Sequence, residues 1–343
     1  MKYILPILLF SISVLAQAKD KVGIVLPLSG PVASMGEGLQ NGVQNYFKEY
    51  PKCKNYVDVV YEDSQYDGKK TLSAFYKLKL DKDVKFQIVW GNTPSAVLAP
   101  IAEKSNYPVI AISMDNIGVD KEYLLTFGFP SSKTIEKILE LFKEKDVRNP
   151  ASLIIDIGNA VEISNKLKSK LNGNLEIITI NSDENNFSPI ISRLKKKQVD
   201  ALVVVMFVDQ ALNFLRSAKT LRYDPIIIGG DNFAEANFQK NAYNLKSDLK
   251  YAGGGVSEEF IKKYYKQGFI FEQATGYSIA GIACDYFKKN SNFETKEFLK
   301  SLKNLDLSFS PIKELVYFES RERGKGFKCV PQIYNIFSND GKL

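Results

Sequence analysis

Histidine is absent from all 343 residues of the chain. That removes Ser-His-Asp and Cys-His catalysis and histidine-ligated zinc, since the base or ligand does not exist, and it leaves carboxylate chemistry open. Cysteine is scarce. Cys53, Cys284 and Cys329 have no metal-ligand spacing, and an odd count leaves at least one thiol outside any intramolecular bridge. There is no low-complexity tract and no short-period repeat. The apolar run from Tyr3 to Leu15 falls short of the roughly 20 residues a membrane-spanning helix needs.

What is present is the composition of a chain that buries real cores: 45% apolar and 12% aromatic residues, over a length sufficient for two domains. Forty-six basic and 39 acidic residues give a formal charge of +7. The basic residues are spread along the chain in short clusters such as Lys195-Lys196-Lys197, the pattern of solvated helix faces, so no nucleic-acid partner is expected. The opening segment, MKYILPILLFSISVLAQA, joins one positive charge at Lys2 to an apolar run and a small-x-small ending at Ala16-Gln17-Ala18. It reads as a signal peptide, residues 1–18, cleaved after Ala18. The residue immediately after that point is Lys19 and not a cysteine, so no lipid anchor is expected, and export permits a disulfide without requiring one.

From Lys21 onward, short β-rich runs alternate with longer amphipathic stretches: KVGIVLPL, VDVVYED, FQIVWG, YPVIAIS, then ASLIIDI, LEIITIN, DALVVVMF and PIIIGGD. The alternation predicts an α/β chain with two doubly wound parallel-sheet lobes, and ligand sites beyond the carboxyl ends of the strands. Turn chemistry at Gly128 and Pro130 places a crossover between lobes, and Gly253-Gly254-Gly255 marks a second.

In the first half, the break at Leu28-Ser29-Gly30-Pro31 leads to a helix for which Ser34-Met35-Gly36-Glu37 fits a capping box. In GNTPSAVLAPIAEK, Thr93 is a good N-cap with Pro94 next, which leaves free amides beside the Thr93 and Ser95 hydroxyls. VIAISMDN ends a strand at Ser113, Met114 and Asp115. The second half differs in sign: Asn159 and Glu162 cap a helix, Asp209 sits at a strand-to-helix junction, and Asp231 follows a strand directly. A donor-rich wall then opposes a carboxylate-bearing wall, and a zwitterion fits between them. Blander roles compete: Thr93, Ser95 and Asp209 as caps alone, Trp90 and Phe207 as core, Tyr277 as helix packing and Cys284 as a small buried hydrophobe. Glu62 and Asp63 are adjacent acids on one strand, so they point to opposite faces and do not form a hydrolytic pair.

LPLSGPVASMGEGLQNGV, GNTPSAVLAPIAEKSNYPVIAIS, NNFSPIISRLKKKQVDALVVV and FLRSAKTLRYDPIIIGGD lie in the order of corresponding segments in type I periplasmic binding proteins. The resemblance is to the leucine/isoleucine/valine-binding receptors of ABC transporters and covers the chain after residue 18. It implies two lobes joined by three crossovers, residues 19–129 with 259–312 and residues 130–258 with 313–343. It further implies a monomeric, periplasmic, non-enzymatic receptor without cofactor, whose partners are a small ligand, an amino acid or amide, and a permease. By the same resemblance Met35 lies where an aromatic touches the ligand, Thr93 and Ser95 hold the ligand carboxylate, Ser113 to Asp115 form the next loop, Phe207 lies near a second-lobe aromatic and Asp231 holds the ammonium. Ser29, Asn159 and Asp209 complete the expected site. Three departures stand out: Asp115 for a hydroxyl, Met35 for an aromatic, and DIGNA without the usual Tyr-Gly pair. A sensor or interaction protein of the same fold is the alternative.

Overall fold

The computed structural model describes residues 19–114, 117–156, 158–181, 183–245, 249–320 and 324–335, apart from the side chains of Asn159, Asp231 and Ala236. Residues 1–18, expected as a signal peptide, and Asp115 lie outside the described residues.

In the first half β1 (Asp20–Leu26), α1 (Ala33–Glu49), β2 (Val57–Asp63), α2 (Gly68–Leu80), β3 (Val84–Trp90), α3 (Asn92–Ser105), β4 (Val109–Ile112) and β5 (Leu124–Gly128) follow one another. The second half repeats the rhythm: α4 (Ser131–Glu144), β6 (Pro150–Ile155), α5 (Gly158–Lys170), β7 (Glu176–Ile180), α6 (Ser188–Lys196), β8 (Ala201–Val205), α7 (Val208–Thr220), β9 (Ile226–Gly229), α8 (Ala236–Tyr243) and β10 (Leu249–Gly254). Then come α9 (Glu258–Tyr264), α10 (Ile270–Lys289), α11 (Thr295–Ser301), β11 (Val316–Ser320), β12 (Gly324–Lys328) and β13 (Pro331–Asn335).

β4, β5 and β6 are buried along their whole length, because strands covered on both faces by helices must be apolar at every position. The strands form two sheets, ordered β11-β12-β5-β4-β3-β1-β2 and β13-β10-β9-β8-β6-β7. Within each, five parallel strands share one order, which reverses between β1 and β3 in the first lobe and between β6 and β8 in the second. An order reversal leaves a crevice beyond the strand ends, since the connections on either side leave in opposite directions.

The chain passes between lobes three times: after β5 at Phe129-Pro130, after β10 near Gly255, and after β12 at Cys329-Val330. Here the sequence reading needs correcting, for it puts residues 313–343 in the second lobe. β11 and β12 instead extend the first sheet, β12 pairing in parallel with β5, and only β13 joins the second, antiparallel to β10. The crossover is a sharp Cys329-Val330 step between two similar short strands, with no long polar linker to mark it. The crossings are laced together: Cys329 donates its N–H to Gly128 O at 3.1 Å, Gly255 to Val330 O at 3.2 Å, and Lys313 to Gly255 O at 2.9 Å.

α10 is buried from Ile270 to Cys284 and packs along α1. The helices meet where neither has a side chain: a Cβ on Gly42 would lie 2.0 Å from the Gln273 carbonyl oxygen, and one on Gly276 2.1 Å from that of Leu39. Tyr277 is packing, as one reading had it, with its ring edge-on to Tyr46 at 5.0 Å. Cys284 is more than a buried hydrophobe: it forms a disulfide with Cys53, while Cys329 is buried outside that bridge.

Candidate ligand-binding site

A cavity of about 720 Å³ lies between the lobes, lined by the loops that follow the strands at both order reversals. From the first lobe come Pro31, Val32, Ser34 and Met35 after β1, Trp90, Gly91 and Asn92 at the end of β3, and Ser113 and Met114 after β4. From the second come Ile155 at the end of β6, Met206, Phe207 and Asp209 after β8, and Gly230, Asn232 and Glu235 after β9. Phe129, Phe269, Phe271 and Glu272 close the hinge side, with the Phe129 and Phe271 rings edge to face at 5.2 Å.

Of the expected site residues, Met35, Ser113, Met114, Phe207 and Asp209 line this one cavity. Thr93 and Ser95 are not. α3 starts two residues earlier than the Thr93 cap requires: Gly91, at φ +100°, occupies the cap position and Asn92 opens the helix. Each residue turns the helix by about 100°, so that start points Thr93 to solvent and buries Ser95, whose hydroxyl has no hydrogen-bond partner. The residue facing the crevice is Asn92, whose Oδ1 accepts from the Ser113 hydroxyl at 2.8 Å and the Met114 N–H at 3.2 Å, fixing the loop after β4.

Ser29 does not line the cavity either. It donates its hydroxyl to Asp63 Oδ2 at 2.6 Å, while Asp63 Oδ1 accepts from the N–H groups of Leu28, Gln65 and Ser29 at 2.8, 2.9 and 3.3 Å. Burial pushes the Asp63 carboxyl up, but these donors outweigh it and hold it below the ordinary carboxylate range. Asp63 is thus a brace that fixes the β1–α1 loop.

The expected Ser34 capping box is absent, because α1 begins at Ala33 behind Val32, with no side-chain cap; Ser34 faces the cavity instead. Asn159 lies in the first turn of α5 with its side chain outside the described residues, and Glu162 pairs with Lys166 rather than capping. Asp231 opens a short 3₁₀ turn after β9, and its side chain is likewise not described. Asp209 is exposed in the first turn of α7, whose cap residue Phe207 makes no side-chain bond.

Sequence reasoning missed Tyr66, Asn92 and Glu272. Gln65 and Tyr66 both have positive φ, 48° and 58°, a strained turn of the kind found at ligand sites. That turn sets the Tyr66 ring 5.7 Å from that of Trp90 and so close to Gly91 that a Cβ there would lie 2.4 Å from it. The charged residues lining the cavity are Asp209, Glu235 and Glu272, and no lysine or arginine lines it among the described residues. Glu235 caps α8, accepting from the N–H groups of Asn237 and Phe238 at 3.0 and 2.6 Å. The first-lobe wall instead presents the N-termini of α1 and α3, whose partial positive charge no acidic side chain in the first turn offsets.

Two doubly wound lobes with a shared crevice at their order reversals, crossed three times by the chain, define the class of two-lobed ligand-binding proteins. The family model described as periplasmic binding protein matches residues 20–329, and the chain belongs to that family. It is 27% identical over 198 residues to a Leu/Ile/Val-binding protein homolog 6 of Brucella abortus (strain 2308), covering 54% of this chain and 51% of that one. With BraC3, a Leu/Ile/Val-binding protein of Rhizobium johnstonii, it shares 26% identity over 243 residues, 65% and 64% of the two chains. The chain thus spans about half the length of the first of these relatives. Among solved structures, a branched-chain amino acid ABC transporter protein of Thermus thermophilus with bound valine superposes with a TM-score of 0.76 at 16% identity, covering 95% of this chain and 94% of that one. LivJ of Streptococcus pneumoniae in complex with isoleucine gives 0.73 at 20%, over 95% and 97%. At such identities the likeness shows the fold.

Proposed function

We propose that this chain is an exported, monomeric solute receptor that closes over a small polar ligand, an amino acid or amide, and delivers it to an ABC permease. The observation that supports it best is the cavity itself, built jointly by both lobes, with uncompensated helix N-termini on one wall and the carboxylates of Asp209 and Glu235 on the other. A zwitterion or amide spans those walls, its carboxylate or carbonyl oxygen toward α1 and α3 and its amine toward the second lobe. Binding at the interface favours the closed form because only that form makes both sets of contacts. No catalysis is assigned, in keeping with the absence of histidine and with relatives named as binding proteins.

A thermal-shift screen of residues 19–343 against amino acids, their amides, ureas and sugars tests the reading. A ligand at a hundredfold its Kd adds about 2.7 kcal/mol of stability, so a cognate amino acid or amide should raise Tm plainly. A response to none of the amine-bearing compounds, with a clear response to a sugar, would overturn the ligand class.

A further inference from the structure

The cavity does not end at the crevice. It continues into the second lobe, beneath the sheet, where it is lined by Thr134 and Ile138 of α4, Ile155 of β6, Ile163 of α5, Val203 of β8 and Ala252 of β10. Ile138, Ile155, Val203 and Ala252 are only 2, 3, 3 and 4% exposed, so the recess is enclosed by residues that belong to the interior. Ile138 and Val203 are members of the second lobe's own apolar core, together with Ile135, Leu141 and Leu167. Thr134 is the one polar side chain of the six, and it is itself buried.

Core side chains normally pack at crystal-like density, and a gap beside them forfeits dispersion contacts. An apolar recess continuous with a ligand crevice recovers those contacts when an apolar part of the ligand fills it, whereas a charged group placed there would be desolvated with only the Thr134 hydroxyl among these six side chains to bond. The recess lies beyond the crevice that holds the polar end, so an apolar group must extend past Ile155 and Ile163 to fill it.

We propose that this recess receives an apolar arm of the ligand, so that the solute carries an aromatic or long straight aliphatic group and not the short branched chain of valine or leucine. This rests on the receptor reading above and specifies the ligand further. The polar end stays in the crevice between the walls, and the arm runs past Ile155 and Ile163 toward Ile138 and Val203.

Calorimetry on the full chain without residues 1–18 tests it, with valine, leucine, phenylalanine, tryptophan and 2-aminooctanoate as probes, each as the amino acid and as its primary amide. At least one bulky probe should bind about tenfold or more tighter than valine, the discrimination that even one methylene brings in an apolar pocket. Ile163→Trp, at a half-buried helix position, should remove that advantage while leaving valine binding within about threefold, and Ile163→Ala, which keeps the fold if the larger residue does not, should shift the preference to a longer probe. Tighter binding of valine or leucine than of every bulky probe, or bulky binding that neither variant alters, overturns the inference and leaves the receptor standing. Failure of every probe, short and bulky alike, overturns the amino-acid receptor reading and this inference with it.

Discussion

Asp63 is a residue whose effect on the site runs entirely through its neighbours. Four donors converge on its carboxylate and tie β2 to the loop that presents Pro31 to Met35, so Asp63→Asn should cost about 1–3 kcal/mol of stability. Its carboxyl is held below the ordinary value of 3.8 in the fold, so the unfolded chain takes up the proton first as pH falls. The contribution is complete above that value and disappears as pH drops through the folded one. Urea titrations of parent and variant should therefore differ most at neutral pH, and the gap should narrow progressively as pH falls below 3.8; a gap that stays constant would show the carboxylate charge to be irrelevant. Asp209 makes the complementary case for binding: Asp209→Asn keeps the shape and removes a charge from the second-lobe wall, and should weaken an amine-bearing ligand by about 1–3 kcal/mol with little change in unliganded Tm. Calorimetry showing unchanged affinity would take the amine pole away from Asp209. At this scale the sequence was only half legible. Ser113, Met114 and Phe207 lie within two residues of a strand end, and Met35 and Asp209 in the first turn of the helix that follows one, so the strand-to-helix junctions bring all five to the cavity. Thr93 and Ser95 do not line the cavity because the helix starts two residues earlier than a Thr93 cap implies, and that start depends on the positive φ of Gly91, which is invisible without its Tyr66 neighbour.

At the level of elements, the α1–α10 pair is the rigid spine of the first lobe. Its close approach depends on glycine, so Gly42→Ala, which sets a methyl 2.0 Å from the Gln273 carbonyl, should force the helices apart and cost about 1–3 kcal/mol or more. An unchanged melting temperature would mean that the helices separate freely. Two further ties fasten the same pair. Glu49, at the end of α1, accepts from Lys263 Nζ at 2.7 Å, from the Tyr277 hydroxyl at 2.9 Å and from that of Tyr264. The Cys53–Cys284 bridge joins segments 231 residues apart, so reducing it, or Cys53→Ser with Cys284→Ser, should remove about 2–4 kcal/mol, read as a lower denaturation midpoint. The strands and helices were largely foreseeable because both periodicities are strong, but this pairing was not: α10 is apolar on nearly every side, so its sequence gives no face, and three cysteines allow three pairings.

For the whole molecule, the two-lobed plan was legible because eight strand runs recur in one rhythm, while the membership of β11 and β12 was not, since a short strand carries no mark of which sheet it will extend. What the plan makes possible is a hinge. The crossings at Gly128, Gly255 and Cys329 are bonded side by side, so the lobes are linked by a narrow laced band about which a few backbone torsions produce rotation and which resists independent sliding. The Phe129 and Phe271 rings sit at that band's edge, on the cavity's hinge side. Closure there would bring Asp209 and Glu235 toward Trp90 and Tyr66. Trp90 is the chain's single tryptophan and lines the cavity, so tryptophan emission reports on the cavity's surroundings. A saturating ligand should shift Trp90 emission to shorter wavelength as water leaves, and should lower the radius of gyration measured by X-ray scattering, because the same rotation that dries the cavity compacts the molecule. The two signals should share one ligand-concentration midpoint. An emission shift without compaction would mean that the ligand binds to the first lobe alone, and the proposed closure would have to be abandoned.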